Sequence, residues 1–321
     1  MNKHVGTILL IVLLSPCVFG ELSDDINSIS LEELWELFLE YPDSDTKAEI
    51  LIALGMQGRG NPDITEKVNN YLAELNSGFN SGKTINYLMV SASISAVMEL
   101  NDTSSYPVLF SALYTGYPEV INSETQGALD YIDGNLFTFL SDVIETKPPA
   151  EKFMALKSAI NSERLNMVER GQLAFHALEQ ALFSNNDDDA DLRAMRYAAV
   201  LELTSLRWTN ANFLAIRHYY GIREEFIKET IAKNRMVEAI KFLGAVGNSE
   251  AALVLGLQLG LINARTEITG SFDAEITLAI VQALGHIGTN TVFDHLLYTS
   301  TLSYPDYIKI AAREAADRLR W

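Results

Sequence analysis

Gly78-Phe79-Asn80-Ser81-Gly82-Lys83-Thr84 carries the ending of a phosphate-binding loop. In such a loop backbone N–H groups cradle phosphates and the lysine reaches the outer ones. The spacing fails here, because glycine is required five residues before Gly82 and Ser77 stands there. The residues upstream of this stretch also follow a helical period, where a phosphate loop needs a strand. Asp187, Asp189 and Asp191 have the alternating spacing that opens a calcium loop. Position six should be glycine and position twelve a bidentate glutamate, but Leu192 and Ala198 occupy them. An acidic loop that caps a helix near Asp189 is the reading that fits. His176, His218, His286 and His295 show no metal-ligand spacing, and the single cysteine, Cys17, precedes them all. There is no Gly-x-Ser-x-Gly elbow for a nucleophilic serine. Adjacent carboxylates such as Glu224 and Glu225 suit a solvated helix face in so acidic a chain. No catalytic, metal-binding or cofactor-binding residue is expected.

One segment runs against the overall charge. The chain has a formal net charge of −18, yet residues 193–241 hold nine Lys/Arg and five Asp/Glu. Within this stretch lie Arg207, Trp208, Arg217, His218, Tyr219, Tyr220 and Arg223. Arg, Trp and Tyr dominate binding hot spots because they combine large apolar area with directed hydrogen bonds. The cluster is a candidate docking patch for an acidic or peptide-like partner. The acidity of the rest repels phosphate backbones, which argues against a nucleic-acid ligand.

These residues must be held by some framework, and the chain begins with a segment to set apart. Residues 1–20 contain Lys3, an apolar run at 8–14, and Val18 and Gly20 at the positions a signal peptidase reads. The run is too short to span a bilayer, which needs about 20 residues. A cleaved export signal with Glu21 as the mature start is expected, and with it a periplasmic or extracytoplasmic location. Leu14-Ser15-Pro16-Cys17 also resembles a bacterial lipobox, which implies the alternative of a lipid anchor at Cys17. No other run is long enough for a transmembrane segment. Ala251-Ala252-Leu253-Val254-Leu255-Gly256-Leu257-Gln258-Leu259-Gly260-Leu261 comes nearest and reads as a buried helix.

Helix signals fill residues 21–321. Ser30 and Glu33 form a capping box, and Pro62-Asp63 opens a helix with Ile64, Val68 and Leu72 on one face. No sustained period-two alternation marks a strand. Two thirteen-residue windows, 43–55 and 273–285, correspond in order of residue types. Each opens with aspartate, Asp43 or Asp273, suited to accept orphan N–H bonds at a helix start. Each ends Ala-Leu-Gly, at Gly55 and Gly285, with a further glycine three residues on at Gly58 and Gly288. The first glycine of each pair is expected to end its helix in a left-handed conformation. Leu243-Gly244-Ala245-Val246-Gly247 repeats the ending, looser copies follow Asp189 and Tyr304-Pro305-Asp306, and the middle of the chain is degenerate.

These windows resemble the second helix of the HEAT repeat in its short bacterial form, the type also seen in phycobilin-lyase-like proteins. The resemblance implies an all-α fold, an α-solenoid of stacked antiparallel helix pairs. Roughly seven repeats of about 40 residues fill residues 21–321. It also implies a scaffold that binds a protein partner along its surface. A lyase or other enzyme on the same scaffold, with a small-molecule or chromophore ligand, is the alternative; a DNA glycosylase on such a scaffold conflicts with the charge and the export signal. The expectation is a protein-binding module without catalysis.

Overall fold

The computed structural model describes residues 29–184 and 189–319. The expected export signal with Cys17 and Glu21, together with Asp187 and Arg320, lies outside the described residues. Among those residues there are sixteen α-helices and no strand, so the fold is all-α. No described helix is long and apolar enough to cross a membrane. The helices gather into two compact units that divide between Leu136 and Phe137.

The first unit holds α1 (Leu31–Glu40), α2 (Ser44–Gln57), α3 (Pro62–Asn80), α4 (Tyr87–Leu100), α5 (Tyr106–Thr115) and α6 (Glu119–Tyr131). Their starts are written locally. Ser30 and Glu33 complete the capping box of α1, and the Asp43 carboxylate accepts from the Thr46 N–H at 2.9 Å. α3 has Pro62 in its first turn and Asn61 as its cap. The phosphate-loop look-alike is therefore the last turn of α3, its cap Ser81 and the turn that follows, with Gly82 at φ +79°. Neighbours pack in sequence order: α2 lies against α4 and α4 against α6, while α3 lies against α5. This is the solenoid-like arrangement, in which even and odd helices form two rows that share one core.

The second unit continues the rule. α7 (Leu136–Thr146) begins at the division, followed by α8 (Pro149–Asn161), α9 (Met167–Phe183), α10 (Ala190–Leu206), α11 (Asn212–Ile227) and α12 (Lys233–Val246). α13 (Ser249–Thr269), α14 (Ala274–Ile287), α15 (Phe293–Thr299) and α16 (Asp306–Arg318) complete it. One row runs α8, α10, α12, α14, α16; α9, α11, α13 and α15 form the other. Asp189 accepts from the N–H groups of Asp191 and Leu192, so its role is the cap of α10.

The repeated glycine does a different job from the one its sequence position suggests. Gly55 and Gly285 lie inside α2 and α14, which run on to Gln57 and Ile287. A Cβ on Gly55 would sit 2.7 Å from both the Cα and the carbonyl oxygen of Ala96 on α4. On Gly244 it would sit 2.7 Å from the Ala283 Cβ, and on Gly285 2.9 Å from the Ala315 Cβ. The Ala-Leu-Gly ending thus marks where one even helix touches the next, and small residues let the backbones close in. Of the trailing glycines, only Gly288 takes the left-handed conformation, at φ +74°.

A second internal symmetry links the units residue for residue. One constant offset in numbering carries Asn76 to Asn263, the bounds of α4 onto those of α14, and α6 onto α16. The same offset pairs the caps Asn61 with Asn248 and Asn86 with Asp273. It also pairs left-handed Asn101 with Gly288, each followed by a short 3₁₀ turn. At its centre is a buried polar clamp. Asn76 Nδ2 donates to the Val108 carbonyl, 32 residues on, and its Oδ1 accepts from the Tyr117 hydroxyl, 41 residues on. Asn263 repeats both bonds, to the His295 carbonyl and from the Tyr304 hydroxyl, at the same separations of 32 and 41. Each clamp ties consecutive odd helices to the Tyr-Pro corner that starts the next even one. Both asparagines are at most 2 % exposed, so bonds within the protein must satisfy their amides.

α13 corrects one expectation. Ala251, Leu255 and Leu259 are buried, but Leu253, Leu257 and Leu261 are 50, 67 and 63 % exposed. An apolar run without periodicity looks the same whether four sides are covered or three. In a two-row array an odd helix keeps one face outside.

Candidate partner-binding site

The basic stretch of residues 193–241 spreads over α10, α11 and α12, and helical geometry divides it. His218 and Tyr219, each 1 % exposed, are core residues and cannot touch a partner. Both rings sit on the inner face of α11. His218 lies edge-on between Tyr197 and Phe242, with ring centroids at 6.4 and 6.2 Å. Burial, reinforced by the Arg196 and Arg235 charges, pushes its pKa down to about 3, so the ring is neutral at ordinary pH. Burial likewise raises the Tyr219 hydroxyl far above its usual value. Trp208 is half-buried because its indole lies on Gly171 of α9, where an added Cβ would come within 2.5 Å of a ring carbon.

Much of the excess positive charge is consumed internally. Arg196 meets Glu225 at 3.1 Å, Lys228 meets Glu224 at 2.7 Å, Lys233 meets Asp273 at 2.9 Å and Arg235 meets Glu238 at 2.7 Å. Arg223 donates to the Gln258 side chain of α13 at 3.1 Å. Arg207, the left-handed cap of α10, is exposed, as are Arg217 and Tyr220.

What remains outside is centred on Arg217. Phe213, Arg217 and Tyr220 share the outer face of α11, three to four residues apart. The Arg217 guanidinium lies 4.2 Å from the ring centroid of Phe183, the last residue of α9, and donates to the Leu182 carbonyl at 3.4 Å. Phe183 in turn stacks on Phe213, with centroids 6.5 Å apart and planes at 18°. Both rings are about half exposed or more, at 49 and 64 %. Beside Phe183 opens a cleft of about 580 Å³ lined by Lys147, Pro149, Lys152, Glu179, Gln180, Ser184 and Leu192. Lys152 Nζ is fixed by the Glu145 carbonyl at 3.0 Å and Gln180 Oε1 at 2.8 Å. Partial burial lowers its pKa, opposed by the Glu145 charge.

The arrangement joins an apolar platform, a guanidinium flattened on it, and two ammonium groups at a concave edge. A stacked guanidinium keeps its outer N–H pair free for a carboxylate fork, at less entropic cost than a free arginine. Arg217 and Tyr220 belong to this site, whereas Phe183, Phe213, Lys147 and Lys152 were missed by sequence reasoning. The i, i+4, i+7 spacing of Phe213, Arg217 and Tyr220 was a usable signal; Phe183 has none, since only the packing of α9 on α11 brings it there. No group of three or more His, Cys, Asp or Glu side chains among the described residues is placed to hold a metal ion. No protein-family model matches this chain, and no curated protein matches it either.

Proposed function

We propose that the protein is a non-catalytic binding module that docks an acidic, partly apolar peptide segment of a protein partner. The observation that supports this is Arg217, stacked on exposed Phe183 beside the lysine-edged cleft. The platform takes an apolar side chain by area burial, and the guanidinium and lysines take carboxylates. In the same proposal the helical array is HEAT-like, and it acts outside the cytoplasm after removal of residues 1–20 or tethering through Cys17. The acidic remainder of the surface then excludes anionic competitors and confines the partner to this site.

The test is affinity capture from the native envelope fraction, read by mass spectrometry, with the parent chain and Arg217→Glu side by side. The proposal expects a protein retained by the parent and lost, at least tenfold, by the variant, with unchanged thermal unfolding. Arg217→Lys should keep partial capture, because it preserves charge but not the fork. Equal recovery by parent and Arg217→Glu sinks the assignment.

A further inference from the structure

The outer face of α13 is a continuous exposed apolar ridge. Leu253, Leu257 and Leu261 recur every fourth residue, and Ile268, 82 % exposed, extends the line. No charged residue occurs between Glu250 and Arg265. Exposed apolar faces of this length on folded proteins mark contacts with something else. Around its helical axis, Glu250 and Arg265 lie on the same side as the leucines and are themselves exposed. Neighbouring charges are already occupied: Arg223 by Gln258, Glu224 by Lys228, and Glu267 by the Tyr298 hydroxyl.

We propose that this face is a twofold contact with a second copy of the chain, α13 packed antiparallel on α13. The pattern is self-complementary about Leu257. Leu253 and Leu261 stand four residues to either side, so each faces the other across the axis while Leu257 faces its own copy. Glu250 stands seven residues to one side and Arg265 eight to the other, so the two ends pair Glu250 with Arg265 twice. An isologous interface requires such pairing of position i with j and j with i. Helices crossing at about 20° keep contact over the whole length, which brings both end pairs within reach. A single helix face is small against the roughly 1,200–2,000 Å² of a standard interface. Exposed Ile227 on α11 and Leu297 on α15, the helices packed on either side of α13, widen the ridge. A lipid surface is the weaker fit, because a chain of net charge −18 is repelled by anionic headgroups. The proposal is independent of the Arg217 cleft.

Sedimentation equilibrium of the purified full chain at about 0.15 M salt tests it. A concentration-dependent dimer is expected. Leu257→Glu puts two like charges on the axis and should raise the dimer dissociation constant at least 100-fold, with the far-UV spectrum unchanged. Glu250→Arg or Arg265→Glu alone should raise it about tenfold, through two like-charged end pairs. The double variant should return to within about threefold of the parent. A monomer at all concentrations overturns the proposal. So does a dimer indifferent to Leu257→Glu, or single reversals that the double variant fails to rescue. Flotation of a monomeric chain with phosphatidylcholine–phosphatidylglycerol vesicles, lost in Leu257→Glu, would also overturn it and give the ridge to lipid.

Discussion

Gly55→Ala is the sharpest test of how the helix rows are held together. In an exposed helix, alanine is favoured over glycine by about 1 kcal/mol, because glycine loses more backbone entropy on folding. Gly127 on α6 shows that background: it is exposed and an added Cβ meets nothing within 4 Å. Gly127→Ala should therefore stabilise by about 0.5–1 kcal/mol. At Gly55 the new methyl would stand 2.7 Å from the Ala96 Cα and 2.7 Å from its carbonyl oxygen. These are backbone atoms and no rotamer change moves them. α2 and α4 must separate, loosening the buried Leu51 and Leu54 between them. Overpacking of this kind costs about 1–3 kcal/mol, from which the propensity gain is subtracted. The net expectation is a loss of about 1–2 kcal/mol, opposite in sign to Gly127→Ala. Urea unfolding followed by far-UV circular dichroism reads both. If Gly55→Ala matches or exceeds the parent while Gly127→Ala is stabilised, the close-contact role of the repeated glycine is wrong.

Two further outcomes follow from buried polar groups. His218 is held neutral in the folded protein, with a pKa of about 3, while the unfolded chain takes up its proton near 6.5. The unfolded state thus binds more protons between these values, so stability is full above about pH 6.5 and falls as pH drops towards 3. At pH 5 the loss is about 2 kcal/mol. Urea midpoints at pH 7.5 and 5 should show it in the parent and not in His218→Phe; equal slopes would refute the assignment. Asn263→Ala and Asn76→Ala should each cost about 1–3 kcal/mol by removing a clamp amide and leaving its buried partners unpaired. A change below about 0.5 kcal/mol in either would show that the clamps are incidental.

Sequence periodicity decided the helical class and most helix starts, because capping is local. Ser30 with Glu33, Asp43, Asp189 and Asp273 all do in the structure what their spacing predicts. The repeat of Ala-Leu-Gly was also legible, but its meaning was not. Whether Gly55 ends a helix or touches Ala96 depends on where α4 lies, and no spacing within α2 encodes that. The same reason explains why His218 and Tyr219 left the surface patch while Phe183 joined it: successive residues on a helix face every direction, and only the neighbours decide which directions are wet. Local signals set the backbone of each helix by itself, whereas exposure, close approach and the grouping of distant side chains are properties of pairs of helices that the tertiary packing alone brings into being.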